Sequence, residues 1–167
     1  MEDAMHIDEA VAAVTNFSEA LGHATPDLAF KFKMHSSNEP LNKCFRNEIP
    51  APGAAGKSGV YFITDPEKRI LYIGKATSGN LGAEIYAKFS AAVIADRAAD
   101  VPRFEKSSLA RWAGDSALSD LIISGNVLIL ALAIEPAALS SLVEVYLHTL
   151  CQLSSNHGLP PLNKRIG

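Results

Sequence analysis

Residues 59–75 read GVYFITDPEKRILYIGK, and this stretch decides the fold. Its first part, Gly59 to Thr64, is rich in the β-branched and aromatic residues that fit a pleated, buried surface. Asp65-Pro66 begins a turn, because proline pre-sets the backbone angle of the second turn position. Arg69 to Ile73 then forms a return strand. Two strands joined this closely pair as an antiparallel hairpin. Ten residues separate Tyr61 from Tyr72. That is enough for two short strands and a tight turn, and it can bring both hydroxyls to one edge of a sheet. Gly59 and Gly74 bracket the tyrosines, and Lys75 follows at the strand end.

Downstream of the hairpin, Leu81, Ile85 and Phe89 share one face of a helix expected from Gly79 to about Ala95. Asp96 to Asp115 is polar and mixed, and Ser116 to Ile123 suits a further helix. Val127 to Ile134 (VLILALAI) is apolar throughout and is expected as a strand buried on both faces. Pro136 is tolerated in a first helical turn. The following helix is expected to reach about Leu153, burying Leu139, Leu142, Val143, Tyr146, Leu150 and Leu153. Pro160-Pro161 bars a helix through the whole tail. Strand, strand, helix, strand, helix implies an α+β domain: a small three-stranded antiparallel sheet flanked by helices.

Upstream, Ile7, Ala10, Val11, Val14, Phe17 and Leu21 recur at helical spacing, ending at Gly22. Leu28, Phe30, Phe32 and Met34 alternate with Ala29, Lys31 and Lys33 as in a half-buried strand. Ser36 to Lys57 reads as a loop with three prolines and two glycines. The chain therefore divides into an N-terminal extension (1–56) and a core domain (57–167). The extension either packs on the core or mediates contacts, a homodimer surface among them.

The chain has 167 residues and a net charge of −3. This is not the profile of a protein that coats nucleic acid without specificity, which needs many Lys and Arg against phosphates. Residues 1–56 hold four Lys/Arg against eight Asp/Glu, and residues 57–167 hold eleven against ten. The acidic excess thus lies in the extension. Cys44 and Cys151 have no metal-type spacing and are expected as reduced thiols. An acidic N-terminus without an apolar run, and no stretch near ~20 apolar residues, point to a cytoplasmic protein without a membrane span.

The candidate chemistry gathers on a few side chains. Tyr61 and Tyr72 lie on the hairpin and Lys75 at its end. Glu144 is the only acidic residue in an otherwise apolar helix. Ser140 and His148, one turn either side of Glu144, suit a polar solvent stripe, with His148 a polar partner or a companion ligand. Taken alone, the tyrosines read as ordinary strand aromatics; the flanking glycines and Glu144 turn the reading towards a site. Trp112 is expected in core or edge packing, with stacking on a base or on Arg111 as the sharper alternatives.

Gly59-Val60-Tyr61, then Tyr72-Ile73-Gly74-Lys75, then Glu144 on a late helix, then Pro160-Pro161-Leu162-Asn163, resembles the GIY-YIG nuclease superfamily over roughly residues 57–167. The resemblance implies a metal-dependent endonuclease acting on DNA. Tyr61 would activate or orient the water, and Glu144 would hold one divalent ion, Mg²⁺ or Mn²⁺. Tyr72 would support the attacking group, Lys75 would supply positive charge, and Asn163 would close the site by hydrogen bonding to Tyr61 or the phosphate. One position departs from the family pattern: Glu84 stands where the resemblance implies an Arg. An Arg would fork onto phosphate oxygens, whereas Glu repels them. Lys88 is the nearest cation, expected as an i,i+4 partner of Glu84, and Arg97, Arg103 and Arg111 are further candidates. Lys164-Arg165 reads as a solvated pair, with contact to phosphate as the alternative. The competing reading is a catalytically inactive module that binds nucleic acid or protein. An enzyme acting on another small phosphoester is a third.

Overall fold

The computed structural model describes residues 4–37, 39–44, 53–89, 93–94, 102–154 and 159–164. In chain order these form α1 (Ile7–Ala24), β1 (Lys31–Ser36), α2 (Leu41–Cys44), β2 (Gly59–Thr64), β3 (Ile70–Ala76), α3 (Leu81–Lys88), β4 (Val93–Ile94), β5 (Pro102–Arg103), α4 (Ser108–Trp112), α5 (Ser116–Ile123), β6 (Leu128–Glu135) and α6 (Ser140–Ser154). The architecture is α+β, an antiparallel sheet flanked by helices. The sheet order is β1-β6-β2-β3, and every neighbouring pair is antiparallel. The strand of the N-terminal extension is thus the fourth strand of the main sheet, paired from Lys31↔Glu135 to Ser36↔Leu130.

All six residues of β2 are buried, because both faces of the sheet are covered. On one face Tyr61, Ile63, Leu71 and Ala131 pack with Leu81 and Ile85 of α3, Leu109 of α4 and Ile122 of α5. On the other, Val60, Phe62, Ile73 and Leu132 pack with Ala10 and Val14 of α1 and with Val143 and Leu147 of α6. This double burial explains the unalternating apolar run of β6. Each buried aliphatic side chain contributes ~1.5–3 kcal/mol.

α1 is longer than its periodicity predicts, and its start carries a capping box: the His6 side chain accepts from the backbone while Glu9 reaches back to the His6 amide. α3 is shorter than expected and stops at Lys88. Val93–Ile94, inside the expected helix, instead pair with Pro102–Arg103; the remainder of 90–101 lies outside the described residues. Among the described residues no helix is long and apolar enough to cross a membrane.

β3 is an edge strand, and the chain's tail covers that edge. Leu162 donates its amide to the Leu71 carbonyl at 3.0 Å. Asn163 grips Ile73 twice: Oδ1 accepts from the Ile73 amide at 2.9 Å and Nδ2 donates to the Ile73 carbonyl at 2.8 Å. An amide side chain that mimics a strand neighbour satisfies backbone groups an open edge would leave to solvent.

Candidate active site

The register Tyr61↔Gly74, Ile63↔Tyr72 and Val60↔Lys75 sorts the motif residues by face. Tyr61, Tyr72 and Gly74 share one face, and Lys75 points to the other. Gly74 is required there: a Cβ on it would lie 2.6 Å from the Tyr61 hydroxyl and closer still to its ring. The missing side chain lets the Tyr61 ring lie across β3 towards the sheet edge. Tyr61 meets Tyr72 with ring centroids 5.9 Å apart. Tyr61 is buried, at 1% exposure. Burial pushes its phenol far above the usual range, and Tyr72, Glu84 and Glu144 push it further.

Glu144 reaches the site from α6, on the face opposite Tyr61. Lys75 Nζ lies 2.8 Å from Glu144 Oε2, with Glu144 almost fully buried and Lys75 about one-third exposed. A buried carboxylate without such a partner would be costly. Ser140, Glu144 and His148 lie along one stripe of α6, and all three are buried. The expected solvent stripe is therefore an inward one. It looks polar because it faces the Lys75 end of β3, not because it faces water. His148 lies against the Ile73 carbonyl, but neither ring nitrogen makes a hydrogen bond of good geometry among the described residues. Burial lowers its pKa, opposed by the Glu144 carboxylate and the Ile73 carbonyl and reinforced by Lys75.

The two faces meet round the β3 edge in a pocket of about 510 Å³. Tyr72, Glu144, His148 and Asn163 line it, together with Trp112, Leu162 and Lys164. Tyr72, Glu144 and Asn163 thus share one cavity, and Lys75 is tied to it through Glu144. Tyr61 is not among the lining residues; it stands behind Tyr72. Asn163 spends its amide on Ile73, so it positions the edge strand and makes no bond to Tyr61.

Glu84 does not line the pocket. It accepts a hydrogen bond from Asn80 Nδ2 at 3.1 Å. The expected Glu84–Lys88 pair is replaced by another contact: Lys88 Nζ lies 5.3 Å from the Tyr72 ring centre and 5.6 Å from that of Trp112. Lys164 Nζ lies 5.4 Å from the Trp112 ring as well. Arg103 pairs with Glu105 at 3.2 Å, and Arg111 is exposed on α4 without lining the pocket. Arg97 and Arg165 lie outside the described residues.

Sequence reasoning did not foresee the grouping of Lys88, Trp112 and Lys164, which comes from three distant segments. The i,i+4 spacing of His148 from Glu144 was the visible signal for its place here. For a divalent ion, the pocket offers one carboxylate, Glu144, with His148 one turn away. No group of three or more His, Cys, Asp or Glu side chains suited to a metal occurs among the described residues. One carboxylate with water and substrate phosphate is a donor set that Mg²⁺ accepts, so the residues fit a single weakly held ion. Comparison with protein-family models, curated proteins and solved structures found no match.

Proposed function

We propose that this chain is a metal-dependent endonuclease of the GIY-YIG kind that hydrolyses DNA phosphodiesters at the β3 edge. The observation that carries the reading is the Lys75–Glu144 pair at 2.8 Å, set beside Tyr72 and Asn163 at one pocket. In hydrolysis a water oxygen bonds to phosphorus, the bond from phosphorus to one ester oxygen breaks, and that oxygen leaves as an alcohol after gaining a proton. Glu144 would hold the one ion, Mg²⁺ or Mn²⁺. Once bound, such an ion supplies Lewis-acid stabilisation of the phosphoryl oxygens. Lys75 holds Glu144 in place and adds positive charge near the phosphate. The Tyr72 hydroxyl orients the attacking water. His148, its pKa lowered by burial, is the pocket group available to take the water's proton. Tyr61, held protonated by its burial, buttresses Tyr72. Lys88 stands in for the missing Arg as a point charge, without an Arg's bidentate fork.

Cys44 and Cys151 lie in separate parts of the fold, one half-buried and one buried, which suits a reducing cytoplasmic setting. A homodimer through the extension is compatible with this reading. The test is incubation with supercoiled and linear DNA plus Mg²⁺ or Mn²⁺, beside Glu144→Ala and Tyr61→Phe. The reading expects nicking that is lost in Glu144→Ala. Cleavage indifferent to both substitutions would place the chemistry elsewhere.

One observation favours the non-catalytic alternative. Tyr61, the phenol that the resemblance assigns to the water, is buried at 1% exposure and set back from the pocket. Under that reading the same pocket binds nucleic acid or a protein and cuts nothing, and DNA is retained uncut at every metal concentration.

A further inference from the structure

The aromatic wall of the pocket is not explained by phosphodiester chemistry. Trp112 ends α4 and is left 37% exposed, although it is the chain's single tryptophan and its largest apolar side chain. Two ammonium groups approach its ring, Lys88 from α3 at 5.6 Å and Lys164 from the tail at 5.4 Å. Both lie within the range where a cation is drawn to an aromatic face. Neither lysine is in an ion pair with a carboxylate among the described residues. The pocket's own carboxylate, Glu144, is already answered by Lys75. Its buried lining includes an imidazole, His148, that is 1% exposed and makes no well-formed side-chain hydrogen bond among the described residues. The cavity of about 510 Å³ therefore combines a part-exposed aromatic surface, one lining cation, Lys164, and a buried imidazole, with Lys88 beside the same Trp112 ring. That volume is in the range of small-ligand sites.

Resting on the nuclease reading, we propose that this wall is a subsite for one unpaired nucleotide of a single DNA strand. The base stacks on Trp112, and Lys88 and Lys164 take the adjoining phosphates. A base within a duplex has both faces covered by its neighbours, and only an unstacked base can present a face to a side chain in a concave site.

Because Trp112 is the only tryptophan, its fluorescence reports this subsite directly and without catalysis. The wild-type protein in EDTA is titrated with a ten-nucleotide thymidine oligomer, a blunt hairpin duplex of equal charge, poly-glutamate and inorganic phosphate. The oligomer is expected to quench Trp112 emission at concentrations at least tenfold below the duplex, and the other two to leave it unchanged. Stacking is worth about 1–3 kcal/mol per base, which converts to roughly 5- to 150-fold in affinity. Trp112→Ala should therefore weaken binding of a dye-labelled oligomer about tenfold or more, with partial rescue by Trp112→Phe. Lys88→Gln with Lys164→Gln should lower the log–log salt slope by about 1.4. An absent response to the oligomer, equal quenching by poly-glutamate or phosphate, or tighter quenching by the duplex overturns the proposal. DNA cleavage with a silent Trp112 would sink this subsite and leave the nuclease reading standing. A Trp112 response without cleavage would do the reverse.

Discussion

Lys75 and Glu144 are joined at 2.8 Å across the junction between β3 and α6. This contact fixes how the hairpin that carries the tyrosines sits against the helix that carries the carboxylate. Removing the lysine strands a buried anion. Lys75→Ala should cost about 2–3 kcal/mol in urea unfolding. Replacing both partners, Lys75→Met with Glu144→Met, should cost clearly less than the two single changes added together. Additive losses would mean that the pair is not coupled in solution.

Gly74 and Tyr61 occupy one volume. A methyl at position 74 would collide with the Tyr61 ring, and overpacking of this kind costs about 1–3 kcal/mol. Gly74→Ala should therefore destabilise the wild type, as read by thermal unfolding. The same change in a Tyr61→Leu background should cost much less, because the colliding ring is gone. An equal cost in both backgrounds would place the strain elsewhere.

Asn163 closes the β3 edge through the Ile73 amide and carbonyl. Asn163→Ala removes two hydrogen bonds worth about 1 kcal/mol each. The expected signature is local: the Ile73 amide should exchange with deuterium about 10- to 30-fold faster, while amides of the central strand β2 change little. Unchanged exchange at Ile73 would show that the tail is not what protects it.

His148 gives a pH dependence whose sign follows from its surroundings. Burial holds its folded pKa below the ordinary value of 6.5. Between the folded and unfolded values the unfolded chain binds the extra proton, so stability rises with pH. It is fully present above about pH 6.5 and is lost as pH falls through that value towards the folded pKa. Glu144 and Lys75, the charged groups facing it, act in opposite directions. The slope from one such group is at most about 1.4 kcal/mol per pH unit. His148→Gln should flatten the stability profile between about pH 7 and 5 in metal-free buffer. A profile as steep as the wild type's would assign the effect to another group.

How much was legible in the sequence depends on the range of the interaction. The hairpin follows from local residues, because Asp65-Pro66 sets the turn and the strands either side are β-formers. The strand at Leu128–Glu135 follows from an apolar run that suits burial on both faces. The inward stripe of α6 was misread because Ser140, Glu144 and His148 at i,i+4 spacing look the same whether they face water or a polar edge. Only tertiary packing decides between them. The contact of Lys88 with Tyr72 and Trp112 was hidden for a similar reason. Glu84, four residues before Lys88, offered a local partner, yet Asn80 takes that carboxylate and Lys88 turns to the aromatic rings.

The central claim is that Glu144 is the pivot of a phosphodiester-cleaving pocket, and Glu144→Gln tests it with the least disturbance of shape. The measurement is the single-turnover rate of supercoiled DNA nicking with Mn²⁺, for wild type and variant, both shown folded by their Trp112 emission. The account predicts nicking by the wild type and a fall of about 100-fold or more in the variant. A folded Glu144→Gln protein that nicks as fast as the wild type would contradict it.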